Sequence, residues 1–283
     1  MNNILVTGST GQLGCDVIKE LLKRNYLILS PNRIEMDLYS EESIKKYILN
    51  SKCEAIIHCA AYTSVDKAES EKDLCKKINT NATKYIAECA KILDIPMIYI
   101  STDYVFDGTK NGIYIETDYT NPINVYGESK LLGEQHVKEI LNKYYIVRTS
   151  WLFNLGGKNF IETILNLSKI SNELNIVCDQ IGSPTYTKDL SKLLVDMLET
   201  DKYGLYHATN EGYCSWYEFA AEIFKLSNIN IQLNKVCSNE YKTDAKRPFN
   251  SKLSKDKLIE NGFKSLPYWK DALKDYLNER KDY

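Results

Sequence analysis

The sequence predicts an α/β fold: a doubly wound parallel sheet followed by a smaller C-terminal part. Three observations carry the prediction. Through the first half, short apolar runs alternate with amphipathic stretches of helical period, the pattern of linked strand–helix units. The apolar runs are continuous rather than alternating, as in strands covered by helices on both faces. Beyond residue 150 that rhythm loosens, which marks off a second part.

In chain order, NILVTG (3–8) reads as a buried strand and LGCDVIKELLKR (13–24) as a helix with Val17, Leu21 and Leu22 on one face. YLILS (26–30) is a second strand. EESIKKYILNS (41–51) is a helix with Ser40 as its N-cap. AIIHCAA (55–61) is a third strand, KKINTNATKYIAECAKIL (76–93) one long helix, and PMIYISTD (96–103) a fourth strand. A helix opens near Tyr126, and YYIVRTSWLF (144–153) is a further strand. LFNLGGKNF then reads as a loop, 160–170 as a helix, LNIVCD (174–179) as a short strand, and TYTKDLSKLLVDMLE as a helix capped by Thr187. SWYEFAAEIFKL and YWKDALKDYLNER have helical period near the end. Residues 1–150 form the expected first domain, completed by a segment near 184–200. Residues 151–283 are mainly the expected second part.

Bulk properties exclude several functions. The 283 residues carry 36 Lys+Arg against 38 Asp+Glu, so no basic surplus points to nucleic acid or a membrane surface. No apolar run reaches the length of a membrane span. The opening MNNILVTGSTG enters a strand without a signal-peptide pattern, so the expected location is the cytoplasm. Cys15, Cys53, Cys59, Cys75, Cys89, Cys178, Cys214 and Cys237 form no C-x-x-C pair, and His58, His136 and His207 do not cluster with them. That spacing argues against zinc and for reduced thiols.

The first chemical motif is VTGSTGQLG. Gly8, Gly11 and Gly14 fall between the first strand and the first helix. Glycine permits a tight turn and close backbone approach, and the helix start offers free N–H groups to a pyrophosphate. The spacing G-x-x-G-x-x-G is one residue wider than the usual dinucleotide fingerprint, but its strand–turn–helix setting is the one a Rossmann-like fold requires. Thr10, Gln12 and Leu13 in the same turn are further cofactor candidates. At the end of the second strand, Ser30 stands where a ribose-binding acid is expected and Arg33 follows. An arginine there suits the 2′-phosphate of NADPH, whereas Asp37, beside Leu38, keeps NADH open. Ala60, Ala61 and Tyr62 follow the third strand. The two alanines either pack in the core or leave room for a ligand at the crevice.

The second motif pairs a strand end with a helix start. Ser101, Thr102, Asp103 and Tyr104 cluster where the fourth apolar strand stops. In NVYGESKLLGE, Tyr126 and Lys130 lie four apart, on one helix face. A Tyr-x-x-x-Lys by itself is common on solvated helices. With a nucleotide turn and a strand-end hydroxyl upstream, it becomes a constellation.

That constellation resembles the short-chain dehydrogenase/reductase superfamily in its extended, sugar-nucleotide branch, and within it the RmlD family. The resemblance runs through VTGSTGQLG, AAYTSVDKAE, STDYVFDG, NPINVYGESKLLGE, RTSWLF, DQIGSPTY, GLYHATNEGYCSWYEFA and KRPFNSKL, nearly the whole chain. It implies reduction of the 4-keto group of dTDP-4-dehydro-β-L-rhamnose by NADPH or NADH. Tyr126 would then donate the proton. Lys130 would lower the phenol's pKa and hold the nicotinamide ribose, and Thr102 would polarise the carbonyl. The resemblance also places Val65, Asp103, Tyr104 and Trp151 at the sugar and Arg247 at the nucleotide diphosphate.

Two departures from the family pattern stand out. Some members bind magnesium at a dimer interface through glutamates. Here Asp16 and Lys188 occupy those regions, so the expectation is no metal and a monomer or weak homodimer. Tyr62 stands where relatives often have histidine. Other activities also fit the branch: a different nucleotide-sugar 4-ketoreductase, a 4-epimerase, or, from another class, a regulatory subunit of methionine adenosyltransferase. The Thr102, Tyr126 and Lys130 set argues against a binding-only role.

Overall fold

A computed structural model describes residues 3–281. Residues 1–2 and 282–283, the outer limits of the two expected domains, lie outside the described residues. The principal sheet among the described residues has six parallel strands: β1 (Asn3–Thr7), β2 (Leu27–Leu29), β3 (Ala55–His58), β4 (Met97–Thr102), β5 (Tyr144–Thr149) and an edge strand, Gly204–His207. Across the sheet the order is Gly204–His207, β5, β4, β3, β1, β2. The chain leaves β1 toward β2 and then returns to the other side of β1 for β3. The strand order therefore reverses at β1/β3, and the crevice above the strands' carboxyl ends opens there.

Successive strand residues point to opposite faces, and both faces are apolar. Ile4, Val6, Ile57 and Val147 pack with Val17 and Leu21 of α1 (Gln12–Lys23) and with Leu190, Leu194 and Val195 of the helix Thr187–Leu198. Leu5, Ile56, Tyr99 and Ile146 face Ile44 and Ile48 of α2 (Glu41–Asn50), Ile86 of the helix Thr83–Leu93, and Val137 of the helix Val125–Ile140. Each such aliphatic side chain contributes about 1.5–3 kcal/mol on burial.

Three local expectations change. The segment expected as one long helix is α-helical over Lys72–Lys76, π-helical over Lys77–Ala82 and α-helical again over Thr83–Leu93. Thr187 does not cap its helix. It is the first helical residue, and its hydroxyl donates to the Asp16 carboxylate instead. The strand Gly204–His207 was not read from the sequence, because four residues behind a turn carry no periodicity of their own. Ser40 does cap α2, accepting from the Ser43 N–H at 3.2 Å.

A separate apolar cluster underlies the C-terminal part. Phe153, Tyr186 and Tyr276 gather the helices Phe160–Leu167, Trp216–Leu226 and Trp269–Arg280 around them. The helix Trp216–Leu226 starts in a capping box between Ser215 and Glu218. Among the described residues, no helix is long and apolar enough to cross a membrane.

Candidate active site

A cleft of about 1110 Å³ runs over the carboxyl ends of the strands and reaches down between the sheet and the C-terminal part. One arm is the glycine turn. Gly8 has φ +69°, and a Cβ there would lie 2.7 Å from the Ala60 backbone. A Cβ on Gly14 would lie 2.1 Å from the Gly8 carbonyl oxygen. No larger residue fits either position without moving backbone. At the start of α1, Gly11 is the N-cap and provides no side-chain cap, and the first turn holds no acidic residue. Its N–H groups and dipole therefore face the cleft without a competing carboxylate. Of the buried side-chain atoms left without a partner among the described residues, three belong to lining residues: Gln12 Oε1, Thr149 Oγ1 and Asn154 Oδ1. Orphaned polar atoms beside an uncapped helix start fit a polar, phosphate-bearing dinucleotide.

The far side of that arm is walled by Arg33, Asp37, Leu38 and Tyr39. Asp37 is engaged locally, accepting from the Tyr39 N–H at 2.9 Å. Arg33 makes no ion pair among the described residues.

The other arm holds Thr102, Tyr126 and Lys130, the trio expected from the sequence to react. β4 ends at Thr102, and the helix Val125–Ile140 carries Tyr126 and Lys130 into the same cleft. Asn124 caps that helix by accepting from the Gly127 N–H at 2.8 Å, and its amide donates to the Lys246 carbonyl. Gly127 lets the helix start approach Tyr104, since a Cβ there would meet the Tyr104 carbonyl at 2.1 Å. The Thr102 hydroxyl donates to Asp103 at 3.0 Å and accepts from the Tyr104 N–H at 3.2 Å. Ser251, from the C-terminal part, donates to the other Asp103 oxygen. Burial raises the Asp103 carboxyl to about 6, against the hydrogen bonds from Ser251 and Thr102.

Tyr126 is driven well above the ordinary phenol value, first by burial and then by the Asp103 charge, while a hydrogen bond with Thr102 opposes the shift. Lys130 is 2% exposed, and burial lowers its ammonium to about 7 against the charge of Glu134. Its Nζ sits 4.1 Å above the Tyr99 ring centroid. Burial and the Asp103 charge, with Thr102 opposing, set the direction of the Tyr126 shift. Both groups are pushed toward their neutral forms.

Comparison with known proteins follows the same lines. The sequence matches the family described as RmlD substrate binding domain over residues 1–281. The chain belongs to the RmlD family. It is 40% identical over 290 residues to a dTDP-4-dehydrorhamnose reductase of Aggregatibacter actinomycetemcomitans, covering 97% of this chain and 98% of that one. It is 37% identical over 280 residues to the spore coat polysaccharide biosynthesis protein SpsK of Bacillus subtilis (strain 168), covering 99% and 98%. The crystal structure of dTDP-4-dehydrorhamnose reductase from Bacillus anthracis str. Ames in complex with NADP superposes with a TM-score of 0.95 at 40% identity, covering 99% of this chain and 100% of that one.

Most of the RmlD-type site residues expected from sequence line the cleft: Gly8, Thr10, Gly11, Gln12, Leu13, Gly14, Ala60, Ala61, Val65, Asp103, Tyr104 and Trp151 among them. Two do not. Tyr62 is pinned through its N–H to Asn79 Oδ1 at 2.7 Å, and its phenol turns away to donate to Glu71 at 2.6 Å. Arg247 lies outside the lining and forks onto Asp66, at 3.0 and 2.6 Å. In the regions where some family members place metal-binding glutamates, Asp16 accepts from Thr187 and Lys19, and Lys188 pairs with Glu279.

Several lining or supporting residues escaped the sequence reading. Trp216 stacks on Trp151 with ring centroids 3.6 Å apart. Trp151 itself has φ +51°, and Gly182 leaves room for its indole, since a Cβ there would approach it to 2.8 Å. Behind Lys130, the buried Glu134 accepts from Ser101 at 2.6 Å and from Arg148 at 2.7 and 2.8 Å. Burial works against the Glu134 charge, but Arg148 holds the carboxyl below its ordinary range. Glu134, Arg148, Gly182 and Trp216 all lie inside the quoted family motifs, NPINVYGESKLLGE, RTSWLF, DQIGSPTY and the SWYE segment, but nothing in those motifs shows that they touch one another.

Proposed function

We propose that the chain reduces the 4-keto group of dTDP-4-dehydro-β-L-rhamnose to give dTDP-L-rhamnose, using a nicotinamide cofactor. One observation carries the reading. Thr102, Tyr126 and Lys130 line the same cleft as an uncapped glycine turn, in a chain 40% identical to a dTDP-4-dehydrorhamnose reductase. The reduced nicotinamide, when bound, supplies the hydride.

The chain's own groups manage the proton and the charge. Tyr126 gives the proton to the developing alkoxide. Burial keeps its phenol protonated at neutral pH, the form a donor needs. Thr102 turns its hydroxyl from Asp103 to the carbonyl oxygen, and Asp103 is then open to a sugar hydroxyl. Lys130 holds the nicotinamide ribose. Val65, Tyr104 and Trp151 bound the sugar, with Trp151 braced by Trp216. Arg247 meets the nucleotide diphosphate by exchanging its Asp66 partner for phosphate oxygens. Arg33, without an ion pair of its own, favours NADPH over NADH. In this reading residues 1–150, completed near 184–200, carry the cofactor and 151–283 mainly the sugar. The protein works without a metal, as a monomer or weak homodimer in the cytoplasm.

The test is nicotinamide oxidation with dTDP-4-dehydrorhamnose, run with NADPH and NADH in parallel. Turnover is expected, and Tyr126→Phe is expected to lower kcat by roughly 10²–10⁴. A folded protein that binds cofactor but turns over neither would point to a 4-epimerase, another ketosugar or a binding-only subunit.

A further inference from the structure

The loop after Leu152–Phe153 crosses the start of α1, and one of its residues has no role so far. Asn154 donates from its amide to the Gln12 carbonyl at 3.3 Å, and the Gln12 amide donates to the Lys158 carbonyl at 3.2 Å. Asn159 ties the loop's own backbone, donating to the Asn154 carbonyl at 2.9 Å. The loop is thereby stitched to the first residue of the helix whose N–H groups face the cleft. Gly157 passes so close to Asn154 that a Cβ there would lie 2.1 Å from its Oδ1.

The charges around this point are few. Among the described residues, the cations lining the cleft are Arg33, the buried Lys130, and Lys158, whose carbonyl meets Gln12 at the start of α1. The Lys158 ammonium is exposed and has no ion pair among the described residues. Where the Lys158 backbone meets Gln12, two side-chain acceptors stand without donors: Gln12 Oε1 and Asn154 Oδ1, the latter on a residue only 4% exposed. Neither acceptor can bind a phosphate by itself. An ammonium has three donors and no acceptor, so it can satisfy such an oxygen and a phosphate oxygen together.

We propose that Lys158 is a cofactor-binding residue. Its ammonium folds over the glycine turn and bridges the pyrophosphate of the dinucleotide to the unpaired amide oxygens of Gln12 and Asn154. The α1 N-terminus holds the pyrophosphate from below, and Lys158 closes it from above. This rests on the nicotinamide reading of the cleft.

The experiment is equilibrium binding of NADPH and of NADH to the full-length protein, read from cofactor fluorescence, for wild type, Lys158→Ala and Lys158→Arg. Because both cofactors carry the pyrophosphate, Lys158→Ala is expected to raise both Kd values by roughly ten-fold. Lys158→Arg is expected to restore most of the affinity, since a guanidinium also meets phosphate oxygens. An unchanged Kd in Lys158→Ala would overturn the proposal. So would a loss confined to NADPH, which would put the lysine at the 2′-phosphate. A wild type that binds neither cofactor would instead overturn the nicotinamide reading on which the proposal stands.

Discussion

Tyr126 and Lys130 lie one helical turn apart, and burial disfavours the charge on both, so it treats their protons oppositely: it keeps the proton on the phenol and takes it from the ammonium. The lysine leads to a pH prediction. Its folded value of about 7 lies below the ordinary 10.5, so the unfolded chain binds the proton more tightly between those values. The cost of burying the ammonium is full below pH 7 and is relieved as pH rises toward 10.5. Without cofactor, wild type should gain thermal stability across that window relative to Lys130→Met, which has no such proton. Parallel Tm–pH curves for the two proteins would refute the buried-ammonium account. At the same scale, Tyr-x-x-x-Lys was legible from spacing alone, but the direction of these shifts was not. The sequence shows which groups are neighbours on a helix, not how much water each loses.

At the scale of elements, the π-helical turn Lys77–Ala82 does what a regular helix could not. The extra residue turns Asn79 inward, where its amide clamps the Tyr62 segment and reaches Ser129 at 2.9 Å, next to Lys130. Thr80 donates to the Ser129 carbonyl at 2.9 Å. One turn thus joins the segment after β3 to the helix that carries Tyr126 and Lys130. Asn79→Ala leaves the Tyr62 N–H without its acceptor, at a cost of about 1–3 kcal/mol. The expected result is a lower Tm together with weaker cofactor binding, because Ala60 and Ala61 lose their anchor. A variant with wild-type Tm and cofactor Kd would count against this role. The periodicity of residues 76–93 showed a helix but not the bulge, since one inserted residue hardly changes an apolar pattern.

Across the whole molecule, the half that carries the glycine turn does not end where its sequence rhythm ends. Leu190, Leu194 and Val195 cover one face of the sheet beside α1, and Gly204–His207 extends the sheet past β5. Ser251 reaches back to Asp103, and Lys246 accepts from the cap of the Tyr126 helix. A fragment ending near residue 160 should therefore fail to unfold cooperatively and should expose apolar surface, whereas the full chain should melt with a cooperative transition. Calorimetry with a hydrophobic dye would decide it. By itself the sequence determined the alternating fold class and the glycine turn, and it singled out Thr102, Tyr126 and Lys130 as candidates, because periodicity, backbone freedom and helical spacing are local properties. Only the tertiary structure decided that Trp216 braces Trp151, that Glu134 and Arg148 lie behind Lys130, and that Tyr62 and Arg247 turn to carboxylates outside the cleft lining. Trp151–Trp216 and Arg247–Asp66 join segments far apart in the chain, and even the nearer contacts, Tyr62–Glu71 and Glu134–Arg148, are set by how separate elements pack.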